Sequence, residues 1–157
     1  MRIDWKGHAC FLIQTGGKKL LTDPFNTDLG YPPLKESADI VTVSHEHWDH
    51  NATASVAGKP QIVRGEGFHR FDDLLIEGLK TFHDKSLGQE RGPNTVFKIN
   101  SEGLSLVHLG DLGEWSQALI DKLGKVDILL IPVGGVYTID AQEAFALAQE
   151  IKPSILI

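Results

Sequence analysis

The segment Asp39-Ile40-Val41-Thr42-Val43 runs straight into Ser44-His45-Glu46-His47-Trp48-Asp49-His50. A short β-branched run without strict polar alternation reads as a strand buried on both faces. Three of the seven histidines fall in the six residues that begin at His45. On an extended segment, His45 and His47 point to the same side and can reach one ion. If the chain turns directly after them, Asp49 and His50 face a second ion beside the first. A merely solvated loop is a poor account of so many ligating groups launched from an apolar strand, since imidazole is the commonest metal ligand. Imidazole and carboxylate donors without thiolate suit Zn²⁺, with Mn²⁺ or Fe²⁺ as the other ions such a set accepts, in a catalytic setting.

The rest of the chain reads as short strands followed by strands mixed with helices. Arg2–Lys6, Cys10–Thr15 and Lys18–Thr22 are expected strands, with a Gly16-Gly17 hairpin turn between the last two. Asp23-Pro24 ends the third, and residues 25–37 form a loop. Further strands are expected at 61–63, 74–82, 95–99, 103–109 and 126–131, and a last one at 154–157. Ser116 caps a helix running to Leu123, and Asp140-x-x-Glu143 has capping-box spacing before a second helix. The apolar stripe of that helix is read as Ala141, Ala144, Phe145, Ala148 and Ile151.

With 157 residues and no linker or repeat, residues 1–157 make one domain. Fifteen basic residues against 21 acidic ones give a charge of −6 without a basic cluster, which leaves no electrostatic footprint for nucleic acid or an anionic membrane. The single cysteine, Cys10, allows neither an internal disulfide nor a thiolate zinc site. No stretch approaches the ~20 apolar residues of a membrane span, and the charged start is unlike a signal peptide, so a cytoplasmic location is expected.

Further ligands must come from distant loops. His83 follows the strand at 74–82, and Asp111 follows the strand at 103–109 between Gly110 and Gly113, whose backbones permit close approach. Here the sequence resembles a known family. His45-x-His47-x-Asp49-His50 is similar to the signature of the metallo-β-lactamase superfamily. Gly7-His8-Ala9, Thr22-Asp23-Pro24-Phe25, His108-Leu109-Gly110-Asp111 and Ile131-Pro132-Val133-Gly134-Gly135 resemble its compact Zn-dependent hydrolases, a branch with lactonase- and phosphodiesterase-like members.

The resemblance implies an α+β fold, a four-layer αββα sandwich with the site at one edge. It implies that His45, His47 and His83 hold one metal, that Asp49 and His50 hold a second, and that Asp111 bridges them. Asp23 would be a non-ligand that steadies the signature loop. The family closes its second position with a His in a Pro-x-His segment after the last strand. No such residue follows Ile157, so the chain is expected to stop short of the fold's C-terminal end.

The expected function is metal-dependent hydrolysis of an ester, lactone, thioester or phosphodiester in a small-molecule substrate by a metal-activated hydroxide. Asp49 would orient the nucleophile and His108 would give a proton to the leaving group. His8 is expected to bond or pack against Asp23 rather than bind metal. Trp48 is expected beneath the signature loop or at the entrance, and His69 on the surface. Arg91 and Tyr137 lie on loops able to contact substrate, the first on a lip at 86–94. Two rivals differ in kind. A di-iron redox relative tends to carry Glu where His47 stands, and a metal-binding sensor would hydrolyse nothing.

Overall fold

The computed structural model describes residues 1–157. Two mixed sheets stack face to face. The first is built from β1 (Arg2–Gly7), β2 (Cys10–Thr15), β3 (Lys18–Thr22), β4 (Ile40–Val43) and β5 (Gln61–Arg64), side by side in that order. The second contains β6 (Gly67–Phe71), β7 (Leu74–Phe82), β8 (Pro93–Ser101), β9 (Leu104–His108), β10 (Ile128–Leu130) and β11 (Ile155–Leu156), in the reverse order β11-β10-β9-β8-β7-β6. Helices α1 (Gln117–Leu123) and α2 (Ala141–Ile151) complete the chain.

Alternation along the strands divides the apolar residues between layers. Phe11, Ile13, Leu20 and Ile40 meet Ile76, Phe97, Ile99 and Leu106 between the sheets. On the far side of the second sheet, Val107 and Leu129 pack with Leu119 and Leu123 of α1 and Leu147 of α2. On the far side of the first, Leu21, Val41 and Val43 are covered by Phe25, Ala38 and Val56, so loops with two short 3₁₀ turns form that outer layer. All four residues of β4 are buried, as its composition requires.

Three details differ from the sequence expectation. Gly67–Phe71 forms β6, which pairs antiparallel with β7 across a turn at Asp72. Phe68 and Phe71 are three residues apart and give no alternating pattern, so pairing with β7 supplies the strand. Thr95–Ile99 lengthens to the whole of β8, because β7 offers hydrogen bonds over that span. In α2 the buried face is Ala144 and Leu147, while Phe145 is 65% exposed. Of the expected stripe, Ala144 is buried and Ala148 and Ile151 are half-buried, while Ala141 is exposed and Leu147 takes its place, since Ala144, Leu147 and Ala148 make the i, i+3, i+4 row.

The topology gathers the strand ends that matter. β7 and β9 both pair antiparallel with β8 and therefore run in the same direction, ending at Phe82 and His108. The end of β4 joins them, where the Thr95 N–H donates to the Ser44 carbonyl at 2.8 Å. No helix is long and apolar enough to cross a membrane.

Candidate metal centre

β3 and β4 are parallel neighbours with Thr22 opposite Thr42, so Asp23 and Ser44 leave the sheet side by side. The buried Asp23 carboxylate accepts from Ser44 N (2.8 Å), from Ser44 Oγ (2.5 Å) and from His50 Nδ1 (2.9 Å). The turn that returns His50 to Asp23 is closed by the His50 N–H bond to the His47 carbonyl, 3.0 Å.

These bonds decide which ring nitrogens are lone pairs. Ser44 Oγ spends its proton on Asp23, so at 2.9 Å it accepts from His45 Nδ1. That leaves His45 Nε2 as an acceptor, buried and without any partner. His83 Nδ1 donates to the Tyr137 carbonyl at 2.7 Å, which leaves its Nε2 an acceptor only 3.2 Å from Asp111 Oδ2. Acceptors that face each other at such distances call for a cation between them. Single ligand atoms of His45, His47 and His83 lie within 4.8 Å of one another, and so do those of His8, Asp49 and His50. The donor set and its orphaned acceptor therefore fit a divalent metal.

Asp111 lies between the two groups, its Oδ2 3.2 Å from His83 Nε2 and 3.4 Å from His50 Nε2. Its backbone N–H donates to Asn94 Oδ1 (3.0 Å), while Asn94 Nδ2 donates to Leu109 O and Thr81 Oγ1. Gly110 adopts φ +56°, and a Cβ there would lie 2.5 Å from Ser44 Cβ. Sequence reading gave no role to Ser44 or Asn94. Ser44 was visible as part of the signature segment, whereas an isolated Asn in a strand carries no signal.

Electrostatics follow from burial against pairing. Burial pushes His45 down to about 3 and also lowers His47 and His108. Burial would lower His50 too, but hydrogen bonds to Asp111 and Asp23 overcome it and raise it to about 10. Burial disfavours the Asp111 carboxylate, yet its hydrogen bond with His50 holds it well below the ordinary range.

His8 departs from its expected place. The Asp23 carboxylate is already filled by Ser44 and His50. His8, at φ +51° in the β1–β2 turn, instead brings Nε2 to 2.9 Å from His50 Nε2 and 3.4 Å from Asp49 Oδ2. His108 is buried with Nδ1 unpartnered, outside the groups whose ligand atoms converge. Trp48 is 55% exposed and does not pack beneath the loop. His69, on β6, is half-buried.

The loop at 86–94 is pinned rather than loose. The Asp84 carboxylate accepts from the backbone N–H groups of Ser86, Gly88, Glu90 and Arg91. Arg91 stacks its guanidinium 3.4 Å from the centroid of the Tyr137 ring. A cavity of about 600 Å³ brings His8, Asp49, His108 and Asp111 together with Trp5, Phe11, Tyr31 and Tyr137.

Known proteins resemble this chain in sequence and fold. The β-lactamase superfamily domain matches residues 2–157. A UPF0173 protein of Pyrococcus furiosus is 32% identical over all of this chain and 81% of its own length. A UPF0173 metal-dependent hydrolase of Thermoplasma acidophilum is 31% identical, again over the whole chain and 81% of the relative. Among solved structures, a Thermotoga maritima protein assigned to the Zn-dependent hydrolases of the metallo-β-lactamase superfamily superposes with a TM-score of 0.83. It is 37% identical, over 98% of this chain and 72% of that one. An isothiocyanate hydrolase from Delia radicum gut bacteria shares the fold at 16% identity, with a TM-score of 0.78 over 99% of this chain and 83% of that one. A pattern that matches from the second residue to the last, joined to relatives of this identity, leaves one assignment: the chain belongs to the metallo-β-lactamase superfamily, among its metal-dependent hydrolases.

Proposed function

We propose that this chain hydrolyses an ester, lactone, thioester or phosphodiester bond in a small-molecule substrate. In this reading His45, His47 and His83 hold one divalent ion, Zn²⁺ in the first instance. Asp49 and His50 contribute to a second, and Asp111 joins the two. The observation that carries the reading is the reach of one carboxylate oxygen to both groups, 3.2 Å to His83 and 3.4 Å to His50. Its position on the wall of the 600 Å³ cavity supports a small-molecule substrate.

Divalent ions bound there would lower the pKa of water toward ~7 and polarise an acyl or phosphoryl oxygen. The chain's own groups do the rest. The Asp49 carboxylate, at the rim, accepts a hydrogen bond from the attacking water and aims it. His108, held neutral by burial, lines the same cavity and hydrogen-bonds the leaving group. Arg91, held over the Tyr137 ring, presents an N–H group to an anionic part of the substrate. The apolar walls at Trp5, Phe11 and Tyr31 take up the substrate's carbon skeleton and exclude water.

The test is a substrate panel of esters, lactones, thioesters and phosphodiesters on protein loaded in turn with Zn²⁺, Mn²⁺ and Fe²⁺. Turnover should appear on loading and vanish on chelation. His47→Ala should abolish it with folding intact, and full activity in that variant would refute the scheme.

A further inference from the structure

The β1–β2 turn delivers one imidazole that the ligand set above does not use. We infer that His8 is itself a metal ligand, its Nε2 completing with Asp49 and His50 a three-residue set for the second ion. This rests on the metal-dependent reading above and extends it to a residue of the β1–β2 turn, where β1 ends on the same side of the first sheet as β3 and β4.

Geometry carries the assignment. His8 Nε2 lies 2.9 Å from His50 Nε2 and 3.4 Å from Asp49 Oδ2, and the last two atoms are 3.8 Å apart. All three fall within the spacing that single-ion ligands occupy. Two imidazole nitrogens facing each other at 2.9 Å are satisfied either by one shared proton or by one shared cation. With His50 Nδ1 committed to Asp23, its Nε2 has no other protein partner as near as His8. Imidazole and carboxylate donors without a thiolate are the composition of a catalytic rather than a structural site.

The turn is built to aim this ring. His8 holds the left-handed region at φ +51°, which a residue with a side chain rarely adopts without a reason. The Trp5 indole N–H donates to the His8 carbonyl at 2.9 Å and locks the turn. Gly7 precedes it at φ +118°, where a Cβ would sit 2.5 Å from the Tyr31 ring. The His8 side chain is 30% exposed and that of Asp49 24%, so an ion here faces the cavity and substrate.

The experiment is metal titration of the full chain by calorimetry with Zn²⁺, with stoichiometry checked by elemental analysis and Co²⁺ absorption as a second readout. Wild type should take two ions. His8→Ala should keep the first at unchanged affinity and weaken the second at least 10-fold, the lower end for loss of a residue that merely supports a ligand. Added imidazole should restore the second ion in that variant. If His8→Ala melts early in the metal-free form, His8→Asn replaces it, since Asn tolerates the left-handed turn. Two ions at wild-type affinity in either variant, or a single ion in wild type, would overturn the inference while leaving a metal-dependent hydrolase in place. No binding in wild type would overturn the hydrolase reading and the His8 assignment together.

Discussion

His50 Nδ1 lies 2.9 Å from Asp23 Oδ2, and both side chains are wholly buried although 27 residues separate them. The carboxylate orients the imidazole so that Nε2 turns toward Asp111 and His8. Asp23→Asn places an amide N–H₂ or a weaker acceptor opposite donors from Ser44 and His50. Stability should fall by about 1–3 kcal/mol, the cost of a buried polar group left unsatisfied. Affinity for the ion that His50 helps to hold should fall about 10–100-fold. Urea melts of the metal-free protein and calorimetric titration separate the two effects.

His83 is fixed by the Tyr137 carbonyl and reaches Asp111. His83→Ala should lose the ion shared with His45 and His47, and kcat/KM should drop by more than the ~10²-fold that marks loss of a supporting residue. Elemental analysis and kinetics on the same sample provide the check. A variant that retains stoichiometric metal and activity would exclude His83 as a ligand.

Gly110 has no room for a methyl group, with Ser44 Cβ at 2.5 Å and Asn94 Oδ1 at 2.6 Å from the position a Cβ would take. Gly110→Ala should destabilise the fold by about 1–3 kcal/mol through overpacking and the φ of +56°. It should also shift Asp111, so activity should fall more than stability alone predicts. Denaturant midpoints compared with kcat at a temperature where the variant is folded test this.

Metal binding should stabilise the chain, because the ligands converge only when it is folded. At free Zn²⁺ one hundred times Kd, the gain for one site is about 2.7 kcal/mol. That corresponds to a rise in Tm of roughly 5–10 °C for a domain of this size. Differential scanning fluorimetry with Zn²⁺ and then with a chelator should show the rise and its reversal.

Glu102 offers a pH signature away from the metal groups. Its carboxylate accepts from the Met1 amine at 2.7 Å, and from Gly16 N and Thr15 Oγ1, which lowers its pKa from 4.5 to about 2. A pKa lowered by folding stabilises the folded state above the unfolded value and ceases to do so as pH falls through the folded one. The stability advantage of wild type over Glu102→Gln should therefore hold above pH 4.5 and fade between 4.5 and 2. Denaturation curves of both proteins across that window would show a constant difference if the pairing contributes nothing.

Short-range features of this chain could be read before any fold was known. The β-branched run at 40–43 became a wholly buried strand. Asp140 and Glu143 formed the reciprocal cap at the start of α2, and Ser116 capped α1. Each depends on residues only a few positions apart, where periodicity and hydrogen-bonding chemistry act directly. The ligand-rich character of residues 45–50 was equally plain, because three imidazoles and two carboxylates in one short segment carry chemistry in any conformation.

What no local pattern could convey is which atoms meet. β6 formed because β7 offered it an edge, and Phe145 turned outward because the sheet received Ala144 and Leu147 instead. The encounter of His8, His50, His83 and Asp111 depends on the pairing of β7, β8 and β9 and on the first sheet stacking against them. The lone pairs directed at the centre depend on Asp23, Ser44 and Tyr137, partners contributed by three different strand ends and loops. Residue type set the available chemistry over a few ångströms of chain, whereas long-range strand pairing set the positions, and a metal centre requires both.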